Sequence, residues 1–142
     1  MKPLFFLSAA FTALAALGGC ATGQNQGGEA DPAATLDAAG QTYGDGASKA
    51  GNPENCISIT QIRSTKVVSD RVIDFEMNGN RVYRNVLPIS CPTLANEERF
   101  AYRTSVAQLC AIDTITVLRN PGLDRGPTCG LGPFQPVQRP PR

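Results

Sequence analysis

The chain contains no histidine and no tryptophan among its 142 residues, and it has no Cys-x-x-Cys pair. Histidine is the commonest general base and metal ligand in proteins, so its absence removes the usual route to both functions. The missing Cys-x-x-Cys pair argues against a zinc site or a thioredoxin-like redox site. We therefore expect no metal and no cofactor, and any catalysis would depend on carboxylates, hydroxyls or lysine.

Long apolar runs are also scarce, with one exception at the start of the chain. A short basic segment, Met1-Lys2, precedes an almost unbroken apolar run over 4–17. This run is too short for a comfortable transmembrane helix and ends in small residues, which is typical of a cleaved export signal. We expect a signal peptide over 1–19 and an exported mature chain.

The residues that end this signal, Leu17-Gly18-Gly19-Cys20, resemble the lipobox of bacterial lipoproteins. The resemblance implies acylation of the Cys20 thiol and cleavage just before it. Stable anchoring needs more than one acyl chain, so two or three chains are implied on Cys20. Ala21 follows where inner-membrane lipoproteins commonly carry Asp. We therefore expect a lipid-anchored protein of the cell envelope that faces the periplasm, at the outer rather than the inner membrane.

The next segment, 20–55, is rich in small and polar residues and has no sustained periodicity. Leu36 and Tyr43 are the bulky apolar residues of its stretch 21–53. Such a composition buries little apolar surface to offset the entropy of ordering, so we predict a flexible, lipidated tether. A flexible chain of this length would reach about 30 Å.

Charge divides the mature chain. Residues 21–55 carry five acids and one base, whereas residues 56–142 carry seven acids and eleven bases, ten of them arginine. Arginine presents a planar fork of donors that suits carboxylates and phosphates. The bias suggests an anionic partner, although solvated strand faces would also explain it. The exported address argues against nucleic acid as that partner.

Four cysteines remain after Cys20 and form an even set, at Cys56, Cys91, Cys110 and Cys129. In an exported chain this set predicts two disulfides. Three connectivities are possible, and the sequence alone does not choose between them. We favour the nested one, Cys91–Cys110 inside Cys56–Cys129, because it would join the first and last strands of a small closed sheet.

Short β-prone segments recur about every ten residues from Cys56 onward, and no helix longer than two turns is indicated. This spacing predicts a mainly β domain over 56–137, a small antiparallel barrel or sandwich held by two disulfides, followed by an extended tail over 138–142. Asn78-Gly79 predicts a two-residue hairpin turn. That turn would set Glu76 opposite Arg81 and Ile73 opposite Arg84.

Several side chains are candidates for chemistry. Ser64 and Lys66 would share a strand face, as a Ser–Lys nucleophile pair would require. Asp74, Glu76 and Asp113 could act as an acid–base pair if the fold brought them together. Pairing across the hairpin is a simpler reason for the acidic residues at Asp74 and Glu76. A turn in which the side chain bonds nearby backbone is a simpler reason for Asp113. These residues define the alternative function, a small periplasmic enzyme with a carboxylate or Ser–Lys site.

Arginines are the candidates for ligand contact, chiefly Arg84 and Arg103. In the predicted register Arg84 has no acidic neighbour, so we expect it to be exposed and dispensable for folding. Arg81, by contrast, would be occupied by Glu76.

The folded part also resembles a family of short bacterial envelope lipoproteins known only as a domain of unknown function. The resemblance lies in the cysteine positions and in Cys56-Ile57, Tyr83-Arg84-Asn85-x-Leu87-Pro88, Cys91-Pro92, Leu109-Cys110-x-x-Asp113 and Cys129-Gly130-Leu131-Gly132. It implies a lipoprotein whose four cysteines are structural, and it carries no assigned activity or site. We expect a non-enzymatic module that binds or organises a component of the envelope.

Overall fold

A computed structural model describes residues 30–141. Cys20 and the predicted signal peptide lie outside these residues. The described chain is mainly β, as predicted, with one helical turn, α1. Its elements are β1 Ser48–Lys49, β2 Cys56–Ser58, β3 Ile62–Ser69, β4 Val72–Met77, β5 Val82–Val86, α1 Leu94–Glu97, β6 Phe100–Tyr102, β7 Gln108–Cys110, β8 Thr114–Arg119, β9 Asp124–Gly130 and β10 Phe134–Gln138.

These strands form three antiparallel sheets. Five strands pair in the order β1-β10-β5-β4-β3, three pair in the order β6-β8-β9, and β2 pairs with β7. The sheets do not close into a barrel within residues 30–141, and the arrangement fits a sandwich. No helix in this part of the chain is long and apolar enough to cross a bilayer.

The main core lies between the five-stranded and three-stranded sheets. Phe75 of β4 is fully buried there, and its ring meets Phe134 at 5.4 Å and Phe100 at 6.3 Å in edge-to-face geometry. Ile115 and Val117 of β8, which alternate with exposed or half-buried residues, face it from the other sheet. Alternation of period two thus supplies one buried face to each sheet.

The hairpin at Asn78-Gly79 forms, but its predicted register is wrong by one residue. The turn uses three residues, Asn78–Asn80, with positive φ at Gly79 and Asn80, and the Met77 N–H donates to the Arg81 carbonyl at 2.8 Å. One extra turn residue moves every partner by one position. Phe75 therefore faces Tyr83, and Asp74, not Ile73, faces Arg84.

The nested disulfide pattern is also wrong. Cys56 of β2 lies directly opposite Cys110 of β7 and is bonded to it, and Cys91 is bonded to Cys129. The prediction failed because it placed Cys56 and Cys129 on neighbouring strands. The neighbours of the last strand are instead β1 and β5, and Cys129 lies on β9.

The predicted flexible tether does not extend to residue 55. Residues 31–49, here named the strap, cross the face of the five-stranded sheet that points away from the main core. Ala33, Tyr43 and Ala47 of the strap are buried, and β1 at its end pairs with β10. The strap thus gives this sheet a second buried face, and residues 50–55 continue along β10.

The predicted extended tail also lies partly on the domain. Gln138 belongs to β10, and Arg139 bonds to side chains of β4. Both ends of the described chain therefore contact the same sheet.

Candidate functional site

Arg84 is buried beneath the strap, so the prediction that it is exposed is wrong. Its side chain is 1% exposed, and it is one of the largest fully buried side chains among residues 30–141. Position 84 points to the strap side of the sheet because Tyr83, its neighbour on β5, points into the main core. The corrected register also sets Asp74 directly across from it.

All five N–H groups of the Arg84 guanidinium have an acceptor. Nε and Nη2 donate to Asp74 at 2.8 and 3.1 Å, and Nη1 and Nη2 donate to Asp45 of the strap at 2.8 and 2.7 Å. The fifth donates to the Ala33 carbonyl at 3.2 Å. The Tyr43 ring lies against the guanidinium, 4.8 Å from ring centroid to Cζ.

These contacts determine the charge states of Arg84 and Asp45. Burial alone would lower the pKa of Arg84, but the hydrogen bonds that Arg84 donates to Asp45 and Asp74 raise it above its ordinary value. The same hydrogen bond with Arg84 lowers the pKa of Asp45. Both groups are therefore charged at neutral pH, and Arg84 has no donor left for an external ligand.

A second arginine extends this network. Arg139 Nη1 donates to Glu76 Oε1 at 2.7 Å, and its Nε lies 3.2 Å from Asp74 Oδ2. The Ser64 hydroxyl donates to the other Glu76 oxygen at 2.6 Å. The hydrogen bond from Ser64, followed by that from Arg139, lowers the pKa of Glu76 to about 2.

The fold thus brings Asp74 and Glu76 together, but in ion pairs with arginine. A general acid needs a pKa near the working pH, and the pKa of the Glu76 carboxyl is far below neutral pH. The Ser64 hydroxyl donates a hydrogen bond to Glu76. Among the described residues, Lys66 makes no hydrogen bond to Ser64. These contacts explain Ser64, Asp74 and Glu76 as parts of a structural network.

Asp113, the third candidate carboxylate, lies elsewhere. Its Oδ2 accepts from the Cys110 N–H at 2.7 Å, and its own N–H donates to the Cys110 carbonyl. This is the turn role that the sequence indicated. Arg81, the predicted partner of Glu76, donates to Gln61 instead.

The network borders a pocket of about 450 Å³ that is partly open to solvent. Its lining includes Lys66 and the five charged residues just described, Asp45, Asp74, Glu76, Arg84 and Arg139. Three carboxylates face two guanidiniums, with Lys66 on the wall. No grouping of acidic or cysteine side chains suited to a metal ion occurs among residues 30–141. Sequence reasoning missed Asp45 and Arg139 because both lie in segments without strand periodicity.

Arg103, the other arginine predicted to contact a ligand, lies in a groove on the outer face of the three-stranded sheet. The groove, of about 340 Å³, is lined by Ala101, Tyr102, Arg103, Thr114, Thr116, Leu118, Leu123 and Arg125. Thr114 and Thr116 point outward because Ile115 and Val117 alternate with them and face the core. We name this surface the arginine groove.

The arginine groove differs from the Arg84 network in having no internal partner for its charges. Within the described range, neither Arg103 nor Arg125 has a carboxylate oxygen within 4.0 Å, and both are exposed. No acidic side chain lines the groove. The two guanidiniums therefore form a donor-rich surface suited to an anion. Thr114 and Thr116 lie beside them, and the Thr116 hydroxyl is already hydrogen-bonded to the Thr128 hydroxyl at 3.0 Å.

No family model, no curated protein and no solved structure matches the chain in the three comparisons.

Proposed function

We propose that the protein is a lipid-anchored lipoprotein of the cell envelope that acts as a non-enzymatic binding module. The anchor is the lipid on Cys20, the domain faces the periplasm, and the membrane is the outer rather than the inner one. The support for this address is the signal pattern, the lipobox at Leu17–Cys20 and the absence of Asp after Cys20. The two disulfides agree with an exported chain.

The binding surface we assign is the arginine groove. The observation that carries the assignment is the contrast between the two arginine sets. Arg84 and Arg139 are occupied by carboxylates, whereas Arg103 and Arg125 are exposed without one among the described residues. The ligand class is an anionic envelope component that presents phosphate, sulfate or carboxylate groups.

The alternative, an enzyme with a carboxylate or Ser–Lys site, has weaker support. Its candidates Ser64, Asp74 and Glu76 are explained by the ion-pair network, and Asp113 is explained by its turn. The proposal of a binding module therefore takes precedence.

The anchor is tested by mass spectrometry of the mature N-terminus, which should show an acylated Cys20. The Cys20→Ser variant should leave the membrane or accumulate as an uncleaved precursor. Mature Cys20→Ser that stays on the membrane would contradict the anchor.

The groove is tested with dextran sulfate and polyglutamate as probes for sulfate and carboxylate chemistry. We expect binding that weakens with added salt and that is lost in the double variant Arg103→Ala/Arg125→Ala. Arg63→Ala is the matched control, because Arg63 is also exposed but lies on β3 with Glu76 at 3.7 Å. If neither added salt nor the double substitution weakens binding, the arginine groove is not the binding surface.

A further inference from the structure

The chain enters the described domain at one end of the five-stranded sheet. Asp31, the first residue of the strap, accepts a hydrogen bond from the Ser69 hydroxyl at the end of β3. The Arg71 N–H donates to the same hydroxyl at 3.1 Å. The strap therefore begins at the turn between β3 and β4, which we name the entry end of the domain.

An apolar loop lies at the same end. The Leu87 N–H donates to the Arg71 carbonyl at 2.8 Å, and the Cys91 N–H donates to the Asp70 carbonyl at 2.7 Å. The segment between these two bonds, residues 88–90, is exposed. We name residues 88–92 the proline loop, after Pro88 and Pro92.

The proline loop presents an aliphatic side chain on a firmly held backbone. Ile89 is 80% exposed, and the loop contains no charged residue. The two backbone bonds and the Cys91–Cys129 disulfide secure the loop. Arg71 adds two further hydrogen bonds to the Leu87 carbonyl. An exposed isoleucine held in this way costs little entropy when it is buried.

The length of chain between anchor and entry end limits which surface can meet the membrane. Eleven residue steps separate Cys20 from Asp31 and span at most about 40 Å. A domain of this size is about 34 Å across, taken from its expected radius of gyration. A path around it to a bilayer at the far end would need roughly 45 Å. The link is therefore too short for the far end to rest on the bilayer, which favours orientations with the entry end towards the membrane.

We propose that the proline loop rests on the bilayer and that Ile89 enters the lipid interface, an inference that depends on the proposed lipid anchor at Cys20. The anchor makes this contact intramolecular, so a weak apolar contact suffices. The loop has no charge that would have to be desolvated, and burying Ile89 removes apolar surface from water. The rest of the domain would then project from the membrane with the hairpin tip at Asn78–Asn80 outermost.

The absence of tryptophan from the chain provides the test. In Ile89→Trp and Val106→Trp, each chain carries a single indole at an exposed aliphatic position. Val106, 62% exposed, is the matched control at the far end. The next residue, Ala107, accepts from the Ile59 N–H at 3.2 Å, and Ile59 begins a 3₁₀ turn that ends at Gln61. Gln61 accepts from Arg81 beside the hairpin tip.

Each acylated full-length mature variant is placed in phosphatidylcholine vesicles with brominated acyl chains. We expect the emission from position 89 to shift to shorter wavelength and to be quenched by the bromine, with less quenching by aqueous acrylamide. Emission from position 106 should stay at longer wavelength, escape quenching by bromine and remain quenched by aqueous acrylamide.

Three results would overturn the inference. If neither position is quenched by bromine while the protein stays on the vesicles, the proline loop does not touch the bilayer although the anchor holds. If both positions are quenched equally, the domain has no preferred end towards the membrane. If mass spectrometry shows that the mature protein carries no acyl chain on Cys20, the anchor proposal and this inference fail together.

Discussion

At the scale of single residues, Arg84 shows how burial decides the role of a charge. A guanidinium in water would be available to any anion, but this one uses all five N–H groups on Asp74, Asp45 and Ala33. Removing one partner of a buried ion pair leaves the other charge uncompensated. Arg84 is therefore structural, and Arg103 is the arginine to test for binding.

We expect Arg84→Ala to lower the free energy of unfolding by about 3–5 kcal/mol, the usual cost of breaking a buried ion pair. Asp74, which is 1% exposed, would keep only the longer bond from Arg139. Urea unfolding measures the effect. Arg103→Ala is the control and should stay within about 0.5 kcal/mol of the parent, as exposed substitutions do. Equal stability of the two variants would contradict the buried network.

The lowered pKa of the Glu76 carboxyl makes the stability of the fold depend on pH in the acidic range. Its pKa in the folded chain is about 2 because Ser64 and then Arg139 bond to the charged form, against an ordinary 4.5. A depressed folded pKa stabilises the fold above the ordinary value, and this contribution is lost as pH falls from 4.5 towards 2. We therefore expect the stability of the parent to fall through this range.

Glu76→Gln should make that fall shallower, because it removes a carboxyl whose pKa is strongly lowered in the folded chain. Glu98→Gln, at an exposed carboxylate, is the matched control and should keep the slope of the parent. Unfolding in urea at a series of pH values gives the slopes. An unchanged slope in Glu76→Gln would show that Glu76 is not paired in this way.

At the scale of elements, the strap changes the character of the five-stranded sheet. A sheet with one solvated face would leave Arg84 in water, and the strap converts that face into a second, smaller core. Tyr43, Ala47 and Val137 form this core, with Leu36, Val82 and Val86 packed against it. This second core contains few apolar side chains. The ion pair between Asp45 and Arg84 is therefore the contact that fixes the position of the strap on the sheet.

We expect Asp45→Ala to loosen the strap without unfolding the main core. Limited proteolysis should then cut within 31–49 sooner than in the parent, because cleavage follows the population of locally open chain. Asp37→Ala is the matched control, since the Asp37 carboxylate accepts from Gln41 inside the strap and, among the described residues, makes no bond to the sheet. Equal cleavage rates in Asp45→Ala and Asp37→Ala would contradict the role given to Asp45.

At the scale of the whole molecule, one disulfide reinforces a strand pair and the other connects two sheets. Cys56–Cys110 closes the small β2–β7 pair, which is separate from both larger sheets. Cys91–Cys129 links the segment after β5 to β9 of the three-stranded sheet. The first bond therefore reinforces β2–β7, and the second connects the five-stranded and three-stranded sheets across the edge of the core.

Peptide mapping without reduction should recover Cys56 linked to Cys110 and Cys91 linked to Cys129. Loss of either bond from a small exported domain should cost about 2–5 kcal/mol of unfolding free energy. The double variant Cys91→Ala/Cys129→Ala tests this cost without leaving a free thiol. Recovery of Cys91 linked to Cys110 would restore the nested pattern and contradict the fold.

The sequence by itself determined the features that depend on neighbouring residues. Alternation of period two predicted a mainly β domain, the even cysteine count predicted two disulfides, Asn78-Gly79 located the hairpin, and Asp113 was assigned to a turn. Each of these depends on short-range chemistry, whether pleat, turn propensity or local hydrogen bonding. Arg103 was also named as a candidate for ligand contact, which remains a prediction, and the structure leaves it exposed.

The tertiary structure alone decided which distant residues meet. Whether the hairpin turn uses two residues or three depends on which faces of the sheet become buried, and that single residue moved Asp74 opposite Arg84. The strap has little periodicity and few apolar residues, so its order comes from partners on β4 and β5 that no local pattern reveals. The disulfide pairing follows strand neighbours for the same reason, because chain separation does not state which strands lie side by side.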